Sequence, residues 1–403
     1  MIDFRKACLL AMVVALLSCG AAAFADGGVG TAALSETARY NTIAGVQTIG
    51  SSYQFTNETK LLETARVILG LGSHVIKFTL APDKGASGLK PASLVELVQT
   101  DPSIKAVFAM PFANYVLWTY PQGNGSEYDL AANRRQIYDL TQYLLRTYNG
   151  TGKKFYLGNW EGDWILLHAN DKHVPTDEEL TGITNWFNVR QKAVDDARRD
   201  TPHKDVEVYH YVEVNRVRDA MDKGLPRLSN RVIAKVNSDF VSYSSYDSIS
   251  GDDREARLKS SLDYIQSQLP PKPGLPSRRV FIGEFGFSRA KAWTQATGLI
   301  FRTPQEQEEL SRQILRAAVE WGCPFVLYWE LYNNEVDKDG TQKGFWLIDD
   351  KNVKQPVYDL FARYYAQSDQ WVTAYKKAHG HFPAQAEFSA KAVDWLAPGA
   401  ARR

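Results

Sequence analysis

The stretch that decides the fold reads RVFIGEF (Arg279–Phe285), then TPQEQEELSRQILRAAVEWG (Thr303–Gly322), then PFVLYW (Pro324–Trp329). A short β-rich apolar run, an amphipathic segment and a second β-rich run make one strand–helix–strand unit. In the middle segment Leu310, Ile314, Ala317, Ala318 and Trp321 recur at three-to-four spacing, one face of a helix. Thr303 with Glu306 forms a capping box, Pro304 takes the first helical position and Gly322 supplies the stop.

The same alternation extends back to residue 44 and forward to about 366. Strands are expected at Ala44–Gly50, His74–Ala81, Ala106–Phe112, Lys154–Glu161, Val206–Tyr211, Asp239–Tyr246, Arg279–Phe285 and Pro324–Trp329. Helix starts are marked by Thr176 with Glu179 and by Asp252 with Glu255. Eight βα units are the count of a (β/α)8 barrel. A doubly wound sheet is the rival, but no GxxxxGK[ST] loop is present, and Gly28-Val29-Gly30 has no strand before it. The expected organisation is a signal peptide over 1–25, a linker over 26–40, a TIM barrel over 41–366 and an extension over 367–403. Trp371, Tyr375, Phe382 and Trp395 make that extension apolar enough to dock on the barrel.

Composition narrows the function. Of 403 residues, 44% are hydrophobic and 23% charged, and Lys+Arg 47 against Asp+Glu 46 leaves a net charge of +1. No global field draws in nucleic acid, and short basic pairs such as Arg198-Arg199 and Arg278-Arg279 read as solvated charge. Ten Trp, 20 Tyr and 18 Phe are the unusual feature, since aromatic faces stack on ligands as well as filling cores.

The N-terminus reads as an address. Asp3, Arg5 and Lys6 precede the apolar run Cys8–Leu17, and Ala23-Phe24-Ala25 gives an A-x-A cleavage site before Asp26, the pattern of a secretory signal. Acylation at Cys19 as a lipoprotein and an uncleaved anchor over Ala7–Ala25 are the alternatives. Secretion or a periplasmic location is expected, with no membrane span after cleavage. Cys323 is then the sole cysteine left, a buried structural thiol rather than a nucleophile.

The chemistry of a barrel sits at the C-terminal ends of its strands. The fourth strand continues into Asn159-Trp160-Glu161-Gly162-Asp163-Trp164. With period two, Phe155, Leu157, Asn159 and Glu161 share one face, so an inward row turns polar where the strand ends. The seventh strand places Glu284 in line with Val280 and Ile282. Burying an unpaired carboxylate is costly, and two of them on strands four and seven point to function.

Gly283-Glu284-Phe285-Gly286, Tyr243-Ser244-Ser245-Tyr246 and Val326-Leu327-Tyr328-Trp329 resemble strands seven, six and eight of the clan A glycoside hydrolases, the retaining (β/α)8 glycosidases of the cellulase-like superfamily. The resemblance implies Glu284 as nucleophile with Tyr246 hydrogen-bonded to it, Glu161 as acid/base, Asn159 on the sugar hydroxyl next to the reacting carbon, and Trp329 as the floor of the sugar subsite. Trp160 stands between Asn159 and Glu161, where that family has the two adjacent. Lys77 lies within strand two, where such barrels often end in Arg.

On this reading Tyr246 holds Glu284 as the anion, while Trp160 or Trp164 dries the Glu161 site. Asn114–Tyr120, Tyr332, Asn333, Asn334, Glu335 and Trp346 are mouth-loop residues available to sugar. His210 ends strand five as a further substrate contact, with Glu213 and Glu330 as reserve carboxylates; Glu330 should face away from the site. No HExxH, GxSxG or CxxC occurs. His168 and His173 share one loop, and His379 with His381 lie in the tail; they read as solvated, with a metal site there as the alternative. No cofactor and no catalytic metal are expected. The expected activity is hydrolysis of β-linked poly- or oligosaccharide by double displacement, and the rival is a glycan-binding barrel without catalysis.

Overall fold

A computed structural model describes residues 36–84, 87–122, 129–294 and 298–399. The expected signal peptide, with Cys8 and Cys19, lies outside these residues. Eight parallel strands close a barrel: β1 (Ala44–Gln47), β2 (Val75–Leu80), β3 (Asn114–Thr119), β4 (Lys154–Gly158), β5 (Glu207–Val214), β6 (Phe240–Ser244), β7 (Val280–Phe285) and, after a hairpin of β8 (Ala290–Thr294) and β9 (Gly298–Phe301), β10 (Val326–Tyr328). Neighbours follow chain order, and β10 pairs with β1 to complete the ring. The fold is the (β/α)8 barrel expected from the βα count.

The helix signals behave as their chemistry dictates, with two exceptions. Capping boxes at Thr176/Glu179 and Thr303/Glu306 open the helices Asp177–Asp200 and Pro304–Trp321, and Gly322, at φ 85°, closes the second. Asp252 caps nothing: that helix is Arg254–Ser267, with Asp253 at its cap position and no side-chain capping bond. The second exception is the third strand. Ala106–Phe112 belongs largely to a helix, Pro102–Ala109, opened by Asp101, whose carboxylate accepts from Ser103 N and Ile104 N. The strand is the following run, Asn114–Thr119, which the sequence pattern places in a mouth loop. A short apolar run suits either element, and the Asp101-Pro102 start signal decides for the helix.

The side-chain phase of the strands also differs from expectation. The barrel interior is filled by Val75, Val116, Trp118, Tyr156, Tyr211, Phe240, Phe281, Phe325, Leu327 and Trp329. Phe155, Leu157, Val280 and Ile282, expected to face in, pack outward instead; the Phe155 ring lies 5.4 Å from that of Phe108. Gly158 is the inward residue after Tyr156, and a Cβ there would sit 2.2 Å from the Tyr211 ring.

The C-terminal region packs as a continuation of the helix layer. Residue 367 lies within the continuous helix Pro356–His379, followed by Gln385–Trp395. Val372, Phe388, Ala392 and Leu396 join the main core, and Phe388 lies 5.0 Å from Tyr40, ring to ring. Among the described residues no helix is long and apolar enough to cross a membrane. Cys323 is buried, and burial pushes its thiol far above the usual range.

Candidate active site

Glu284 reaches the barrel mouth through a bulge. Tyr243 of β6 pairs with Ile282, but Ser244 pairs with Glu284, so β7 carries one extra residue at Gly283. The insertion shifts the phase of the strand and turns Glu284 inward although Ile282 faces out. Only glycine fits at the bulge: a Cβ on Gly283 would lie 1.7 Å from Ser242 Oγ and 3.0 Å from Glu213 Oε2. Glu161 arrives differently. β4 ends at Gly158, and Glu161 is the residue from which the short helix Gly162–Leu166 departs, its carbonyl accepting from Trp164 N at 3.0 Å.

Beneath the two carboxyls lies a buried polar cluster. Lys77 Nζ donates to Glu213 Oε2 at 2.9 Å, to Glu284 Oε1 at 3.3 Å and to Gly283 O at 3.0 Å. Glu213 also accepts from Ser242 Oγ at 2.7 Å and from Glu161 N at 3.1 Å. One carboxylate thus fixes the backbone of Glu161 and shares a cation with Glu284. Trp118 covers the cluster, its ring 4.4 Å from Lys77 Nζ and 6.1 Å from the ring of Trp329.

Ser244 joins the two candidate catalytic groups. Its Oγ lies 2.6 Å from Glu161 Oε1 and 3.4 Å from Glu284 Oε2, which bounds the separation of those oxygens at the sum of the two legs, 6.0 Å. Burial pushes the Glu161 carboxyl up to about 7, with the Ser244 hydroxyl pulling it back and the Glu213 charge adding to the rise. Burial also raises Glu284 well above the usual carboxylate range, opposed by the Lys77 ammonium and reinforced by Glu213 and Glu161. Of the two, Glu284 alone has a hydrogen bond to that cation.

A cleft of about 680 Å³ opens over these groups, lined by Trp160, Glu161, Trp164, Tyr246, Glu284, Trp329, Asn334 and Glu335 among others. A second cleft of about 1030 Å³ spreads over the ends of β1 to β3 and shares Trp160, Trp329 and Asn334 with the first. Trp118 and Tyr120 also line it. Trp160 is 38% exposed, a free indole face between the two clefts.

The structure therefore gathers Glu161, Glu284, Trp160, Tyr246 and Trp329 in one place. It does not bring Asn159 or His210 there. Asn159 Oδ1 accepts from Glu213 N at 3.1 Å, and its Nδ2 donates to Trp160 O at 3.1 Å, so the amide is occupied by backbone. His210 points out of the barrel to Gln191 Oε1, 3.2 Å away, and desolvation and the Arg190 charge hold its imidazole well below the usual value. Tyr211 is the inward neighbour.

Tyr246 lines the cleft, but the hydrogen bonds recorded on the Glu284 carboxylate come from Lys77 and Ser244. Tyr332 packs against Tyr53, and Asn333 braces its own loop through Glu335 O and Gln342 Oε1. Glu330 faces away from the cleft, as expected, and accepts from Ile49 N at 3.0 Å.

Four residues around the site carry a signal in the sequence that alternation reveals. Lys77 sits among Val75, Phe78 and Leu80, Glu213 follows Tyr209 and Tyr211 at period two, and Ser242 and Ser244 alternate with Val241 and Tyr243. Polar residues at successive inward positions of buried strands mark the floor of a site.

No known sequence family and no curated protein matches the chain. Solved structures do match. An exo-β-1,4-mannosidase from Opitutaceae bacterium strain TAV5 aligns over 82% of this chain at 12% identity and a TM-score of 0.53. A β-glucosidase from Exiguobacterium marinum aligns over 82% of this chain and 99% of its own, at 12% identity and a TM-score of 0.50. The chain shares its barrel with solved glycoside hydrolases. It spans 60% of the mannosidase's length, and at these identities the likeness is one of fold.

Proposed function

We propose that the protein is a retaining glycoside hydrolase acting on a β-linked poly- or oligosaccharide, with Glu284 as nucleophile and Glu161 as acid/base. The observation that carries this reading is the 6.0 Å bound between Glu161 Oε1 and Glu284 Oε2. Retaining enzymes hold their carboxyls about 5–5.5 Å apart, and inverting ones about 6.5–9.5 Å to admit a water. The 6.0 Å bound on this pair of oxygens fits the retaining arrangement.

The environments divide the labour. A carboxyl raised to about 7 by burial retains a large protonated fraction at neutral pH and can protonate the glycosidic oxygen. Burial raises Glu284 as well, but Lys77 donates to it and not to Glu161, and that cation opposes the rise and favours the anion on Glu284 for attack on the anomeric carbon. Glu161, deprotonated by the first step, then activates the water that releases the sugar from Glu284. Trp160, Trp329 and Trp118 supply apolar faces for pyranose rings, and the larger cleft gives room for further sugar units along the ends of β1 to β3. Export through the N-terminal signal fits a glycan substrate outside the cell.

The test is incubation with a panel of aryl β-glycosides and polysaccharides, run beside Glu284→Gln and Glu161→Gln. Turnover lost in both variants supports the reading. Wild-type turnover in Glu284→Gln contradicts it, and sugar binding without turnover on any substrate favours the non-catalytic barrel.

A further inference from the structure

The loop that follows the acid/base residue gathers two imidazoles on one carboxylate. His168 Nε2 lies 2.8 Å from Glu179 Oε1, and His173 Nε2 lies 3.0 Å from both carboxylate oxygens. His168 and Ala169 both adopt left-handed backbone, φ 50° and 55°, uncommon for residues with a side chain. The turn is pinned by Ala169 N to Trp164 O at 2.9 Å and His173 N to Asn170 O at 3.0 Å, and it folds the loop toward the start of the helix Asp177–Asp200.

Glu179 is itself oriented. Thr176 N and Oγ1 donate to its Oε2 at 2.7 and 3.0 Å, and Oε1 takes the His168 contact. The Thr176 bonds and the histidines lower its carboxyl below the usual carboxylate range. One donor atom from each of the three side chains lies within 4.8 Å of the other two. Tetrahedral zinc with ligands at about 2.0–2.2 Å requires donors roughly 3.3 Å apart, close to the His–Glu distances here.

We propose that His168, His173 and Glu179 bind one divalent cation of the zinc, nickel or copper class, with water completing the coordination. Two imidazoles and one carboxylate suit these borderline metals and not magnesium or calcium, which take oxygen ligands. Thr176 serves as the outer partner that fixes the carboxylate. Each imidazole would bind the cation through the Nε2 that now faces Glu179. The cation would tether the loop after Glu161 and Gly162–Leu166 to the barrel's outer helix, a structural role separate from the sugar chemistry.

The experiment uses the full chain without an affinity tag, stripped with EDTA and exchanged into buffer. Zinc chloride is titrated calorimetrically, and thermal melts are recorded with and without zinc. One equivalent should bind and raise Tm. His168→Ala with His173→Ala should weaken binding at least tenfold and abolish the Tm rise, while their melts in EDTA match wild type. Cobalt(II) should give the visible absorption of a four- or five-coordinate site in wild type only.

His379→Ala with His381→Ala should change nothing, and magnesium chloride should not bind. Absence of saturable binding, or unchanged binding in the His168/His173 double variant, overturns the proposal. So does loss of binding in the His379/His381 variant. If the double variant unfolds, His173→Gln replaces it and must still show the tenfold loss.

Discussion

Glu161 and Glu284 share one hydroxyl: Ser244 Oγ lies 2.6 Å from the first and 3.4 Å from the second. That donor lowers the Glu161 carboxyl against the rise that burial imposes. Removing it in Ser244→Ala should therefore move the alkaline limb of kcat/KM, which reports loss of the Glu161 proton in the free enzyme, to higher pH. Tyr246→Phe should leave that limb where it is. A pH–rate profile on one aryl glycoside checks both, and a Ser244→Ala limb at or below the wild-type position contradicts the assignment.

Glu161 also trades stability for chemistry. Its folded pKa, about 7, lies above the ordinary carboxylate value of 4.5, so the native state binds the proton more tightly than the unfolded chain. Ionisation therefore penalises the fold progressively as pH rises from 4.5 to 7, and the penalty is constant above that. Glu161→Gln, which keeps an acceptor for Ser244, should be more stable than wild type at pH 8, with the advantage vanishing below pH 4.5. Denaturant unfolding at the two pH values measures it. Activity should fall in parallel by roughly 10²–10⁴-fold, the usual contribution of a general acid.

Lys77 is the cation between Glu213 and Glu284, fully enclosed with the Trp118 ring above it. Breaking such a buried pair by removing one partner costs about 3–5 kcal/mol, because the remaining charge has no compensation. Lys77→Met should lose stability on that scale at pH 8. The loss should shrink as the pH falls to 5, because the Glu284 carboxyl, raised by burial and left without its cation, takes up protons over that range. Equal losses at both pH values would assign Lys77 a packing role.

Gly283 makes the bulge, and a methyl group there meets Ser242 Oγ at 1.7 Å. Gly283→Ala should destabilise by about 1–3 kcal/mol through overpacking. Gly283→Ala with Ser242→Gly should recover part of that stability in urea unfolding, but lose the Ser242 bond to Glu213.

The barrel was legible because its signals are local and repeated: capping boxes at Thr176 and Thr303, and β-rich runs at seven of the eight barrel strands, the third being displaced by the helix Pro102–Ala109. Glu161 and Glu284 were legible as carboxylates at strand ends. What misled was phase. Strict alternation puts Phe155 and Ile282 inside, whereas Tyr156 and Phe281 occupy the interior, and Glu284 is turned in only by the extra residue at Gly283. A bulge depends on pairing with neighbouring strands and leaves little trace in one strand's own residues.

The same limit explains His210 and Asn159. Which of His210 and Tyr211 faces in depends on how β5 pairs with β4, and Asn159 is claimed by a backbone amide of β5. The Lys77–Glu213 pair joins residues far apart in sequence, so its charges carry no mutual label until the barrel closes.

The central claim is that Glu284 forms a covalent bond with sugar. Incubation with 2-deoxy-2-fluoro β-glycosides, whose glycosyl intermediates turn over slowly, followed by proteolysis and mass spectrometry, tests it most directly. The account predicts a single sugar adduct on the peptide containing Glu284, absent in Glu284→Gln. An adduct on another residue, or hydrolysis of natural substrate with inversion at the anomeric carbon, would contradict it.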